Sequence, residues 1–146
     1  GSGPTDVWAV GVEGTILHWN GEAWSPPAAS GTTSVLISVW ATAADDVRAV
    51  GFDGTIVHWN GTVWSSDDSG TTRILGHVWG DAPNDLWVAG DQTLLHWDGL
   101  RWSPDEFAAT RILTSVWGSG PDDIWVVGDG STILHWDGSI WTVRRP

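Results

Sequence analysis

The chain has 146 residues with 18 acidic against 6 basic side chains, and its formal net charge of -12 repels phosphate backbones and anionic headgroups, which excludes nucleic acid and membrane surfaces as partners. A content of 41% hydrophobic and 16% charged residues is too apolar for a disordered chain, and its apolar runs are too often interrupted for a membrane span. The absence of cysteine excludes disulfides, thiol nucleophiles and cysteine-based zinc sites.

No apolar targeting segment precedes Asp6, and Gly1–Asp6 aligns with Gly118–Asp123 far along the chain. Val7, Trp8, Ala9 and Val10 then form a strand with apolar residues on both parities, so both faces of its sheet must be covered. A Glu13-Gly14 turn leads to a strand ending in His18-Trp19, and Asn20-Gly21 leads to another opening at Trp24. A run ending in Val39-Trp40 follows, and the pattern restarts. The second repeat continues through Asp45-Asp46, Asp53-Gly54, His58-Trp59, Asn60-Gly61 and Trp64. The third has Val78-Trp79, Asn84-Asp85, Asp91-Gln92, His96-Trp97, Asp98-Gly99 and Trp102. The fourth has Val116-Trp117, Asp122-Asp123, Asp129-Gly130, His135-Trp136, Asp137-Gly138 and Trp141.

The His-Trp pairs lie 40, 38 and 39 residues apart, the length of one propeller blade. Each Asn-Gly or Asp-Gly predicts a two-residue hairpin with positive φ at both central positions. The expectation is an all-β propeller of four-stranded meander blades at 1–34, 35–73, 74–111 and 112–146, forming a single domain. A flat two-sheet sandwich is the alternative. The first repeat lacks its first strand, so the blades read as half of a larger ring. The terminal repeats keep the apolar residues of the inner ones, which predicts self-association, a twofold dimer completing eight blades. A closed four-bladed ring is the alternative.

The unit Leu-x-Ser-Val-Trp, Asp-Asp-x-Trp-Val-Val-Gly, Gly-Thr-Ile-Leu-His-Trp-Asp-Gly-x-x-Trp resembles the Asp-box (BNR-like) propeller repeats of sialidases and of photosystem II assembly-factor-like proteins. The resemblance spans essentially the whole chain and implies the blade fold, which serves hydrolases, lectins and scaffolds alike. The His135–Trp141 segment departs from the usual Asp-box by being one residue shorter and by having His in the hydroxyl position.

All 14 Trp fall into four columns of the repeat, which reads as packing between blades, a peripheral sugar site in each blade being the alternative. His18, His58, His96 and His135 lie a blade apart with no second ligand at metal spacing, so they read as half-buried imidazoles held by backbone or Asp partners. His77 stands outside that column, where other repeats have Ser38 and Ser115. The paired acids before second strands read as turn caps. No nucleophile elbow, phosphate loop or zinc motif is present, and Tyr, the sialidase nucleophile, is absent. The expected function is therefore a non-enzymatic binding scaffold without catalytic residues, metal or cofactor. A glycan-binding lectin or a fragment of a sialidase-like enzyme is the alternative. Ligand contacts, with protein or glycan, are expected on the rim formed by Arg73, Arg111, Glu13, Asp53, Asp91 and Asp129, where the repeats differ most.

Overall fold

The computed structural model describes residues 1–26, 28–108 and 111–144. Valine, isoleucine, leucine and tryptophan dominate its strands, as expected for pleated surfaces buried on both sides. The first sheet pairs β1 (Val7–Val10) with β2 (Ile16–Trp19). The second runs β3 (Leu36–Ala43), β4 (Asp46–Gly51), β5 (Ile56–Trp59) and β6 (Trp64–Asp67) in spatial order. The third runs β7 (Leu75–Ala82), β8 (Asp85–Gly90), β9 (Thr93–Trp97) and β10 (Trp102–Pro104), and the fourth β11 (Leu113–Gly120), β12 (Asp123–Gly128), β13 (Thr132–Trp136) and β14 (Trp141–Arg144). Every pairing is antiparallel between sequence neighbours, so each sheet is a meander and the fold is a β-propeller. The coverage of both faces is plain in β4, where Val47 through Gly51 are all buried.

Three apolar clusters fill the seams between successive sheets. Trp8, Ile16, Val47 and Trp64 meet between the first and second sheets. Ile56, Leu75, Leu86 and Trp102 fill the second seam, and Trp79, Trp87, Ile124 and Trp141 the third. Among the described residues, the extensive contacts between sheets run first to second, second to third and third to fourth, and none joins first to fourth. The four blades form an open arc. Its inner strands are also tied by hydrogen bonds, with Val78 N–H donating to Ser38 Oγ at 3.2 Å and Val116 N–H donating to His77 Nδ1 at 3.4 Å. His77 therefore performs the task of the serine in its column.

Two details differ from the sequence reading. The last strand of the first blade is reduced to a Trp19–Trp24 bridge, with Ser25 N–H donating to His18 O and Ala28 N–H to Ile16 O. Pro26 brings no amide hydrogen to a ladder there. The Asx-Gly hairpins are not two-residue loops. Trp59 pairs with Trp64, Trp97 with Trp102 and Trp136 with Trp141, leaving a four-residue loop in each case, and positive φ falls on the glycine but not on the Asn or Asp before it. The reason is the Asx side chain, whose Oδ1 accepts two backbone N–H groups, from Glu22 and Ala23 at Asn20 and from Leu100 and Arg101 at Asp98. That bonding holds the carbonyl in place without a left-handed backbone.

Candidate functional site

The meander places two kinds of connection at opposite ends of the arc. One end carries the turns between first and second strands and between third and fourth. At this end an Asp opening each second strand receives the His that closes each third strand. The Nε2–Oδ1 distances are 2.6 Å for His18–Asp6, 2.7 Å for His58–Asp46, 2.7 Å for His96–Asp85 and 2.8 Å for His135–Asp123. Three of these imidazoles stack on the Trp two residues beyond the Asp, at centroid distances of 4.2 Å on Trp8, 4.3 Å on Trp87 and 4.2 Å on Trp125. The other carboxylate oxygen takes a hydroxyl, from Ser2, Thr42 or Ser119. The Ser119 hydroxyl, His135 and the Trp125 N–H hold the Asp123 carboxyl below its ordinary value. Burial works against ionisation of Asp6, yet Ser2 and His18 together keep it lowered as well. These are structural Asp–His pairs, and among the described residues no group of three or more His, Asp or Glu converges as a metal set.

The seams are where the repeats diverge in chemistry. Trp102 Nε1 donates to Asp67 Oδ2 at 3.3 Å and Trp141 Nε1 to Asp105 Oδ2 at 2.9 Å, each reaching the last strand or following loop of the preceding blade. Among the described residues Trp64 Nε1 is buried without a partner, and the sequence has Pro27 where those blades have Asp. In the second blade Arg48 stands in the column of Trp8, Trp87 and Trp125. It is only 4% exposed, with Nη1 2.8 Å from Asp46 Oδ1 and its guanidinium carbon 4.9 Å from the Trp97 ring centroid. Its Nε stands 3.5 Å from Asp67 Oδ2, a charge contact too poorly aligned for a hydrogen bond. In the sequence this buried cation shows as the one non-aromatic member of a Trp column.

The opposite end carries the turns between second and third strands and the loops between blades, and here lie the rim residues expected from sequence. Glu13 and Asp53 occupy positive-φ turns at 54° and 56° and are exposed. Asp53 accepts from the Ser34 hydroxyl at 3.5 Å. Arg73 Nη1 reaches Gln92 Oε1 at 3.2 Å and the backbone oxygen of Asp91 at 3.5 Å, and Arg111 Nη1 reaches Thr132 Oγ1 at 3.0 Å, which bonds in turn to the Asp129 backbone oxygen. Each arginine thus bridges to the turn of the next blade, and neither forms an ion pair with a described carboxylate. The six residues are spread one or two to a blade and do not converge on one point. What sequence reasoning missed at this end is apolar. Ile37, Ile74 and Ile112, all exposed, surround a cavity of about 480 Å³ with Gly76, Leu113 and Thr114 at the inner strands. No helix among the described residues is long and apolar enough to cross a membrane.

No family profile and no curated protein matches this chain. Solved structures do. YCF48 from Cyanidioschyzon merolae superposes with a TM-score of 0.69 at 17% identity, over 90% of this chain and 50% of that one. YCF48 bound to D1 peptide superposes with a TM-score of 0.63 at 16% identity, over 76% of this chain and 40% of that one. This chain therefore spans half or less of the length of these structures. These likenesses bear on the fold alone, because one blade architecture serves many functions. At these identities the conclusion is architectural: the chain is an arc of a β-propeller.

Proposed function

We propose that this chain is a non-enzymatic propeller scaffold, one domain of four blades, whose two end faces are covered by blades of a second copy. The observation that carries the reading is unequal burial within one column. Trp117 on the outer face of the fourth blade is 57% exposed, whereas Trp79 in the same column is 4% exposed. At the other end Trp24 is 48% exposed against 9%, 7% and 8% for Trp64, Trp102 and Trp141. Each exposed indole is the half of a seam that its counterparts complete inside the arc. An end-to-end pair of copies would repeat that seam with the same columns and leave no apolar end face. Light scattering behind a sizing column tests this. A mass near twice 15.7 kDa, falling to 15.7 kDa when Trp117 is replaced by Glu, supports the reading; a dilution-insensitive monomer of the unaltered chain removes it.

For a partner other than itself, the reading favours a protein segment at the connector end. The support is the exposed isoleucine cluster beside the rim of Glu13, Asp53, Asp91, Asp129, Arg73 and Arg111, together with a fold neighbour whose described complex contains a peptide. Apolar anchors within a charged rim are the usual anatomy of a protein-binding patch. Replacing Ile74 and Ile112 by Ser should abolish partner capture without changing the oligomeric mass. A glycan array on the same protein checks the lectin alternative, and saturable binding there that persists in the Ile variant would favour the sugar.

A further inference from the structure

We propose that the cleft between the third and fourth blades binds a guanidinium group, with Trp136 as its aromatic wall, the buried Trp87 as its floor, and Asp85, Asp98 and Asp105 as its counter-charges. The cleft measures about 520 Å³ and opens at the Asp–His end. The two indole centroids lie 6.0 Å apart, and the lining contains no Arg. Its only basic group, His96, is already paired with Asp85. The site lies within one chain, so it does not depend on whether two copies complete a ring.

The second seam carries the argument. There the equivalent residues hold a guanidinium supplied by the chain itself, with Arg48 between Asp46 and Asp67 and over the Trp97 ring. Asp85, Asp105 and Trp136 are the counterparts of Asp46, Asp67 and Trp97 one blade on, but Trp87 replaces the arginine. The carboxylates are kept and their cation is gone. Two substitutions then deepen the negative charge. Asp98 takes the turn position that holds Asn20 and Asn60 in the first two blades. Asp81 takes the column of Ser2, Thr42 and Ser119, whose hydroxyls serve the Asp of their own blades, so among the described residues no donor reaches Asp85 Oδ2. In the sequence the first repeat has Pro27 and Asn20 at the corresponding positions, neither of them acidic. A planar, weakly hydrated cation that stacks on indole and donates N–H groups to carboxylates at its edge satisfies this lining better than a metal ion does.

Titration with agmatine, read from the indole N–H resonances, tests the proposal. Saturable shifts of a few indole signals are expected, with none from butylurea, an uncharged analogue of similar shape. Trp87→Arg installs the solution used by the second blade and should abolish binding by filling the site from within. Asp98→Asn installs the residue native to two other blades, keeps the turn, and should weaken binding about tenfold, the loss of one close charge contact in a partly desolvated cleft. Equal binding of agmatine and of an acetylated, amidated arginine peptide would assign the site to any guanidino compound, and binding of the peptide alone would assign it to a partner's arginine side chain. No saturable shift with either, equal response to butylurea, or undiminished binding by Asp98→Asn would overturn it.

Discussion

The two ends of the arc obey different rules. At the Asp–His end every blade repeats one device: an Asp that receives a His, a hairpin capped by Asx, and a glycine packed against the neighbouring turn. At the connector end the turns of the first two blades are alike, and the loops that leave those blades share Ser-Gly-Thr-Thr with Ser30 and Ser69 bonded the same way, whereas the turns of the last two blades differ and the loop leaving the third has another sequence. The repeated end holds strands in register within a blade, so variation there disrupts the sheet. The variable end connects blades already built, so its side chains are free to serve a surface.

The same substitution made at both ends should expose this asymmetry most. Gly99 has φ +91° and an added Cβ would lie 2.8 Å from Asn84 Cβ, while Gly70 has φ +69° with nothing within 4 Å. Gly99→Ala should cost about 3 kcal/mol and Gly70→Ala about 1 kcal/mol, the first combining backbone strain with overpacking and the second strain alone. Denaturant midpoints measure both, and equal values would erase the distinction. Next in size, His18→Ala at the repeated end removes the Asp6 bond and the Trp8 stack and should cost about 1 to 2 kcal/mol.

A smaller effect appears as a pH dependence. Burial pushes the His77 imidazole below its ordinary 6.5, and accepting the Val116 N–H at Nδ1 requires that nitrogen to be unprotonated. A histidine lowered in the folded state leaves stability intact above pH 6.5 and erodes it as acid protonates the unfolded chain first. His77→Ser, the residue of its column elsewhere, should flatten stability between that pH and the lower range where the depressed Asp6 and Asp123 begin to lose theirs. Last, Arg73→Ala at the connector end should stay within about 0.5 kcal/mol of the parent by thermal melting, because its contacts are exposed.

How much was legible follows the same division. The blade was readable because its signals are local: Asx-Gly, His-Trp and the apolar runs recur within one repeat and need no tertiary knowledge. The hairpin was misread for a local reason too, since the side-chain acceptor of Asn20 or Asp98 does the work assigned to a left-handed backbone. The seams were not readable. Trp102 reaches Asp67 and Trp141 reaches Asp105 across more than thirty residues, and a loop aspartate looks the same whether it faces water or an indole. Arg48 was visible as an exception in its column, but its meaning depended on knowing that Trp97 and Asp67 from two other strands close around it. The isoleucine cluster escaped notice because an isoleucine opening an inner strand is expected to be core.

Each sheet is drawn from one uninterrupted stretch of chain, with no strand lent between repeats. The consequence is genetic. An unequal crossover between two His-Trp-Asx-Gly stretches adds or removes whole multiples of 38 to 40 residues and exchanges a blade without cutting a strand in half. Descendants of such an event inherit intact hydrogen-bond ladders but join the first three strands of one repeat to the last strand of another, so the Arg48 or Trp87 side of a slot can come to face the Asp67 or Asp105 side of a different one.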